Sequence, residues 1–425
     1  MKEDREKKSD AGDAASMQKR GLTYIVVFLV VGLIALGAYA LWRQTGNKSQ
    51  GGGQAQQAEQ AAVGNGGGAS RTPSESERID KILKGLTTEQ KVAQLFVVTP
   101  EQLTDVEVAV SAGETTRAAA TRYPVGGLCY FSGNLQSPKQ TQEMLRNTGN
   151  YIKDACGLVP FLCVDEEGGT VSRVASNKAF GVTDPGNMNA VGAEGDVDQA
   201  RVVARNIASY LKKLGFNVDF APVADIDQPE GGTMRQRSFG STPDLVASMV
   251  VAQIDGFSRE GVLCAAKHFP GIGGAEGDSH NGRIYSHRTE DEMKSMELVP
   301  FVEAIKADVP MIMVGHLTCL ELARGEGDTP ASLSPKVMRD LLRNDLGYDG
   351  VIVTDALNMD AIKDVCKPSE VAVRAIQAGA DVVLMPNDFK AAYNGLLDAV
   401  KNGTIGEERI DESLRRIICL KLKIS

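Results

Sequence analysis

Three textures follow one another along the chain. Residues 21–42 carry no charged side chain. At about 1.5 Å per residue, a helix of that length spans a ~30 Å hydrocarbon layer. The run also exceeds the roughly 7–15-residue apolar core of a cleaved signal peptide. The expectation is an uncleaved transmembrane anchor. Lys and Arg are denser before the span than just after it, which makes residues 1–20 a cytoplasmic tail. Residues 43–77 turn to Gly, Gln, Ala, Ser and Asn. Such a composition cannot bury enough apolar surface to offset the entropy of ordering, so it reads as a flexible linker.

From residue 78 to 425 the pattern changes again. Short apolar runs occupy 92–98, 125–131, 158–164, 218–224, 262–269, 311–317, 350–357 and 381–386. Helical periodicity fills 137–154, 197–213, 242–260, 297–307, 335–345 and 369–378, and a last amphipathic stretch covers 406–424. Gly215, Gly261, Gly347 and Gly379 follow helices as C-caps do. Eight buried strands alternating with helices predict an α/β fold whose parallel sheet is covered on both faces. Eight is also the number that closes a (β/α)8 TIM-type barrel. A doubly wound open sheet is the alternative, without a GxGxxG after the first strand to support it.

Composition narrows the partners. With 46 Lys+Arg against 55 Asp+Glu, the net charge of −9 argues against a broad nucleic-acid surface. The seven cysteines show no metal-ligand spacing. Cys129, Cys163 and Cys264 lie inside apolar runs and read as small buried hydrophobes. Cys319 and Cys366, in loop-like segments, are the candidates for a disulfide if the domain is outside the cell.

Charge collects where the apolar runs end. Asp165, Glu166 and Glu167 follow the third run, and Asp225 and Asp227 close the fourth. Lys267 and His268 sit in the fifth, His316 in the sixth and Asp355 in the seventh. In a parallel barrel these ends share the face that carries active sites. Mouth salt bridges explain some of them, but charge on an apolar strand is costly unless used or paired. Arg173 and Arg237, in nearby loops, offer donors suited to sugar hydroxyls and carbonyls. Pairing of the cations with Asp165 or Glu167 is the structural alternative. In Asp278-Ser279-His280 the carboxylate is placed to accept from imidazole Nδ1–H, leaving Nε2 as an acid or base near neutral pH.

These segments carry a resemblance. VDEEGGTVSRV (164–174), GFNVDFAPVADID (215–227), RSFGSTPD (237–244), KHFPGIGGAEGDSH (267–280), ELVPFVEAI (297–305) and the stretch 330–359 ending GVIVTDALNM appear in order. Across about residues 80–422 the chain resembles glycoside hydrolase family 3, in its single-domain β-N-acetylglucosaminidase (β-N-acetylhexosaminidase) branch. The resemblance implies a retaining exo-hydrolase that removes terminal GlcNAc from peptidoglycan-derived or related glycans. It implies Asp355 as nucleophile and His280 with Asp278 as the acid/base pair. Asp165, Arg173, Arg237, Lys267 and His268 would hold the sugar, and Met359 would line the pocket. No metal or organic cofactor is implied. With the anchor, the catalytic part would face outward at the cell membrane.

The chain departs from the family pattern in two places. Ile272 and Gly274 stand where the usual KHFPGHGDT has His and Asp, and NGRIYSHRT lacks the usual short Leu-Pro ending. Both departures bear on the leaving-group side of the site. Rival readings are a β-glucosidase or phosphorylase of other specificity, and a glycan-binding barrel that has lost turnover.

Overall fold

A computed structural model describes residues 74–228, 232, 234–275 and 282–425. The expected cytoplasmic tail, the anchor at 21–42 and nearly all of the linker lie outside the described residues, as do Asp278 and His280. Among the described residues no helix is long and apolar enough to cross a membrane.

The described residues open on Ser74 and helix Glu75–Gly85, which overlaps the end of the span 43–77 expected to be linker. The reason is local. The Ser74 hydroxyl accepts from the Glu77 N–H while the Glu77 carboxylate accepts from the Ser74 N–H, a capping box that starts the helix.

All eight apolar runs contain a strand. They are β1 (Phe96–Val98), β2 (Gly127–Tyr130), β3 (Phe161–Val164), β4 (Val218–Asp219), β5 (Leu263–Phe269), β6 (Met311–Val314), β7 (Val351–Thr354) and β8 (Val383–Leu384). Each pairs in parallel with the next in chain order from β1 to β7, and β1 pairs with β8. The seam between β7 and β8 is bridged at Val353 and Val382, and the Thr354 N–H donates to the Val382 carbonyl at 3.1 Å. An open doubly wound sheet has a different strand order, so the alternative drops out. The sheet is a nearly closed TIM-type barrel.

The first apolar run divides between two elements: Val92 and Ala93 finish helix Thr88–Ala93, and β1 begins at Phe96. The main covering helices, Pro138–Cys156, Val197–Leu214, Pro243–Glu260, Val299–Lys306 and Pro368–Ala378, lie where periodicity placed them. Gly215 and Gly261 end two of them at φ 104° and 73°, where a Cβ would be strained. Cys319 and Cys366, the candidate pair, are not bonded to each other. Cys319 is buried at the end of the short strand Leu317–Cys319, Cys366 follows helix Asp360–Lys363, and all seven thiols are free.

The C-terminal helix Glu407–Lys423 crosses the N-terminal end of the barrel. It brings Lys421 to full burial, with Nζ donating to Gln94 Oε1 (2.6 Å) and to the Gly126 carbonyl (2.8 Å). The ammonium also stands 5.0 Å from the centre of the Phe161 ring. Burial without a carboxylate lowers its pKa to about 7, against the opposing influence of the Cys156 and Cys163 thiols.

Candidate active site

At the C-terminal ends of the strands the barrel opens into a cavity of about 310 Å³. Its lining includes every described residue that the sequence assigned to the site: Asp165, Arg173, Arg237, Lys267, His268, Asp355 and Met359. Seven positions from distant parts of the chain therefore converge on one concavity. The fold explains why, since each sits on or just past the end of a strand or in the loop that follows it.

The chain leaving β3 splits its three acids. Asp165 and Glu167 face the cavity, whereas Glu166 points the other way, as strand alternation requires. Glu166 is fully buried and accepts from the backbone N–H groups of Arg173 (2.6 Å), Val174 (2.8 Å) and Ala175 (2.8 Å) and from the Tyr210 hydroxyl (2.8 Å). Desolvation outweighs these bonds and raises its pKa. Its work is to hold the backbone that carries Arg173 in place.

Lys267 is the centre of the charge cluster. Its Nζ lies 2.7 Å from Asp165 Oδ1 and 2.7 Å from Glu167 Oε1. Glu167 also takes a two-pronged contact from Arg237, at 2.8 Å from Nε and 2.7 Å from Nη2. Burial opposes charge on all three groups. Lys267 and Arg237 nevertheless hold the Glu167 carboxyl far below its ordinary value, and the carboxylates push the Lys267 pKa up. The structural alternative thus holds for these contacts, and the same groups line the cavity.

His268, next to Lys267, is fixed by Asp225. Nδ1 lies 2.7 Å from Asp225 Oδ2, and the Ile272 N–H donates to Oδ1 of the same carboxylate at 2.7 Å. A carboxylate accepts only, so the Nδ1 proton lies in that bond and Nε2 is left toward Arg237, 3.5 Å away. Arg173 stands 5.5 Å from the Phe131 ring, and its buried Nε has no hydrogen-bond partner. A donor left open on the cavity lining is available to a ligand.

Asp355 follows β7 at the cavity floor. Its Oδ1 accepts from the Ala356 N–H at 2.7 Å. Desolvation works against its charge, but His316, His268, the Ala356 N–H and Lys267 together prevail and lower its pKa. His316 lies beneath this turn, with Nε2 at 2.9 Å from the Ala356 carbonyl and Nδ1 at 2.8 Å from Ser332 Oγ. It supports the floor from within the core.

Charge alone does not point to Phe131, Val171, Met313, Ala356, Asn358, Leu384 and Met385, which also line the cavity. Phe131 was discoverable, being the last residue of the second apolar run and so at the same strand-end position as the acids. The expected acid/base pair, Asp278 and His280, lies outside the described residues.

Chemically, the cavity offers one carboxylate without a Lys or Arg partner among the described residues, Asp355. Around it stand cationic donors and an aromatic face, a combination that suits a polyhydroxylated ring.

Comparison with known proteins agrees. The family model for the glycosyl hydrolase family 3 N terminal domain matches residues 87–420. The chain is 35% identical over 328 residues to beta-hexosaminidase A of Pseudoalteromonas piscicida, covering 72% of this chain and 54% of that one. The chain thus spans about half the length of that relative. It is 34% identical over 348 residues to beta-hexosaminidase LpqI of Mycobacterium tuberculosis, covering 79% of this chain and 83% of the relative. A solved family 3 beta-N-acetylglucosaminidase from Paenibacillus sp. superposes with a TM-score of 0.74 at 37% identity, over 80% of this chain and 62% of that one. Barrel, strand-end site and family match coincide, and the chain belongs to glycoside hydrolase family 3.

Proposed function

We propose that this protein is a retaining exo-β-N-acetylglucosaminidase acting on terminal GlcNAc of peptidoglycan-derived or related glycans. The observation that carries the reading is the unequal state of the cavity's carboxylates. Asp165 and Glu167 are bound to Lys267, and Glu167 is held ionised, so neither suits proton donation. Asp355, ionised and free of a Lys or Arg partner among the described residues, suits nucleophilic attack. The proton donor then comes from elsewhere, and His280 oriented by Asp278 fits that part.

In the first step the Asp355 carboxylate bonds to the anomeric carbon. The glycosidic C–O bond breaks, and the departing oxygen takes the His280 proton. In the second step neutral His280 takes a proton from water, whose oxygen displaces Asp355 and restores the free carboxylate. Lys267, Arg237 and Arg173 hold sugar oxygens through both steps, His268 faces the ring, and Met359 packs against its apolar edge. The GlcNAc preference is supported by the names of the relatives. The uncharged span 21–42 supports an outward-facing membrane-anchored enzyme.

The test is turnover of p-nitrophenyl β-GlcNAc by the purified protein, beside the glucose analogue and with and without phosphate. Hydrolysis of the GlcNAc substrate, independent of phosphate, is expected. Asp355→Ala should lower kcat/KM by at least about 10⁴-fold. Faster release from the glucoside, or a requirement for phosphate, overturns the specificity.

A further inference from the structure

The chain that leaves β3 folds back on itself as two short antiparallel strands, Glu166–Gly168 and Val171–Ser172, with Glu166 paired to Ser172. Alternation gives this hairpin two faces. Asp165, Glu167, Val171 and Arg173 line the cavity, four of its residues from one piece of chain. Glu166 and Ser172 lie on the other face and are buried.

The hairpin is held at its tip, its base and its back. At the tip, the Gly169 N–H donates to Asp184 Oδ1 at 2.9 Å and the Thr170 N–H to Asn187 Oδ1 at 3.0 Å. At the base, the Glu166 N–H donates to Asp219 Oδ1, on β4, at 2.9 Å. At the back, the Glu166 carboxylate takes two donors on each oxygen. The Arg173 and Val174 N–H groups donate to Oε2, and the Ala175 N–H and the Tyr210 hydroxyl donate to Oε1. A carboxylate has about four lone-pair positions, so none is spare. Tyr210 is half-buried and belongs to the covering helix Val197–Leu214.

The cations of the site are fixed in different ways. Lys267 and Arg237 are gripped at their charged ends by Asp165 and Glu167. Arg173 has no carboxylate partner among the described residues. Its Nε is open, and the Phe131 ring centre stands 5.5 Å from the guanidinium carbon. The place of this guanidinium is therefore decided chiefly at its backbone, and that backbone hangs on Glu166.

We propose that Tyr210 is a positioning residue for the sugar site. By completing the bonds of Glu166 it fixes the backbone of residues 173–175, and so sets where Arg173 meets the bound sugar. The inference rests on the reading of the cavity as a GlcNAc site. Without the hydroxyl, Oε1 keeps only the Ala175 N–H, and the carboxylate can turn away from Arg173 and Val174. A shift of about 1 Å in a group that holds substrate costs up to about 10²-fold.

A double-mutant cycle separates positioning from fold stability. Tyr210→Phe is made in the parent, in Arg173→Ala and in Met359→Ala, and kcat/KM for p-nitrophenyl β-GlcNAc is measured for each. Melting curves show that each variant is folded at the assay temperature. Tyr210→Phe should lower the parent value about fivefold and the Met359→Ala value by about the same factor. It should change the Arg173→Ala value by less than about 1.5-fold, because the group it positions is gone. Glu166→Gln turns one acceptor oxygen into a donor facing buried donors. It should cost more, at least about tenfold, with the same dependence on Arg173. Equal losses in all backgrounds, or no loss in the parent, overturn the proposal and leave Tyr210 to fold stability. If the parent itself releases no p-nitrophenol from this substrate, the reading of the cavity fails and the inference falls with it.

Discussion

Among the described residues two lysines are buried, one at each end of the barrel, in opposite company. At the mouth, Lys267 lies between Asp165 and Glu167, both at 2.7 Å, and the pair of carboxylates raises its pKa against the pull of burial. At the far end, Lys421 meets the Gln94 and Gly126 oxygens and an aromatic face, and burial brings its pKa down to about 7. Burial sets the penalty on charge, and the partner decides whether the charge survives it. The mouth keeps charged groups assembled on a cavity where a ligand can use them. The far end uses an amine as a two-donor link between the Gln94 side-chain amide and the Gly126 carbonyl, which lie just ahead of β1 and β2.

The largest effect that tests this contrast belongs to the mouth. Lys267→Met leaves Asp165 and Glu167 facing each other without their shared cation. Removing one partner of a buried ion pair costs about 3–5 kcal/mol. Denaturant unfolding should register that loss, and kcat/KM should fall at least about 10²-fold. A variant as stable as the parent would remove the distinction between the two ends.

Lys421→Met addresses the other end, and the sign follows from linkage. The folded-state pKa of about 7 lies below the 10.5 of the unfolded chain. Between those values the unfolded state binds the extra proton, so this lysine's contribution to stability grows as pH rises from 7 toward 10.5. It is fully lost once pH falls below the folded value. Parent minus variant stability should thus climb between pH 7 and pH 9, by no more than about 1.4 kcal/mol per pH unit. A flat difference across that range would mean the amine keeps its charge when buried.

A smaller effect comes from beneath the nucleophile. Asp355 is held below the 3.8 of the unfolded chain, so its contribution is complete above pH 3.8 and is lost as pH falls through the lower folded value. His316→Asn removes a cation that favours the carboxylate. The acidic limb of kcat/KM should then move to higher pH, with a loss of roughly a few-fold near pH 4.5 and little change at pH 7. An unmoved limb would place the control of Asp355 with His268, the Ala356 N–H and Lys267.

How much of this was legible varies by residue. The eight strands were, because strands buried on both faces must be nearly all apolar; that they close into a barrel rather than an open sheet took the pairing of β1 with β8. Asp165, Lys267 and Asp355 were legible for the same reason, since charge at the end of such a run stands out. Glu166 and Glu167 are neighbours of one chemistry, and only strand alternation sends one to the cavity and the other to the backbone of Arg173–Ala175. Ser74 and Glu77 spelled a capping box, but the glycine-rich sequence before them masked it. Lys421 was hidden, because an amphipathic helix with a lysine near its end normally turns that lysine to solvent.

By itself, then, the sequence determined the number of strands and their places along the chain, the strand ends that carry charge, and the candidates for the site. Those follow from local periodicity and from the cost of charge in apolar runs. Only the tertiary structure decided which charges meet. Lys267 comes from β5 to lie between two acids that follow β3, Asp225 is shared by His268 and Ile272, and Gln228, Glu297 and Arg288 close on one another. Coulomb energies and hydrogen bonds act over a few ångströms of space, and that spacing is set by closure of the barrel rather than by distance along the chain.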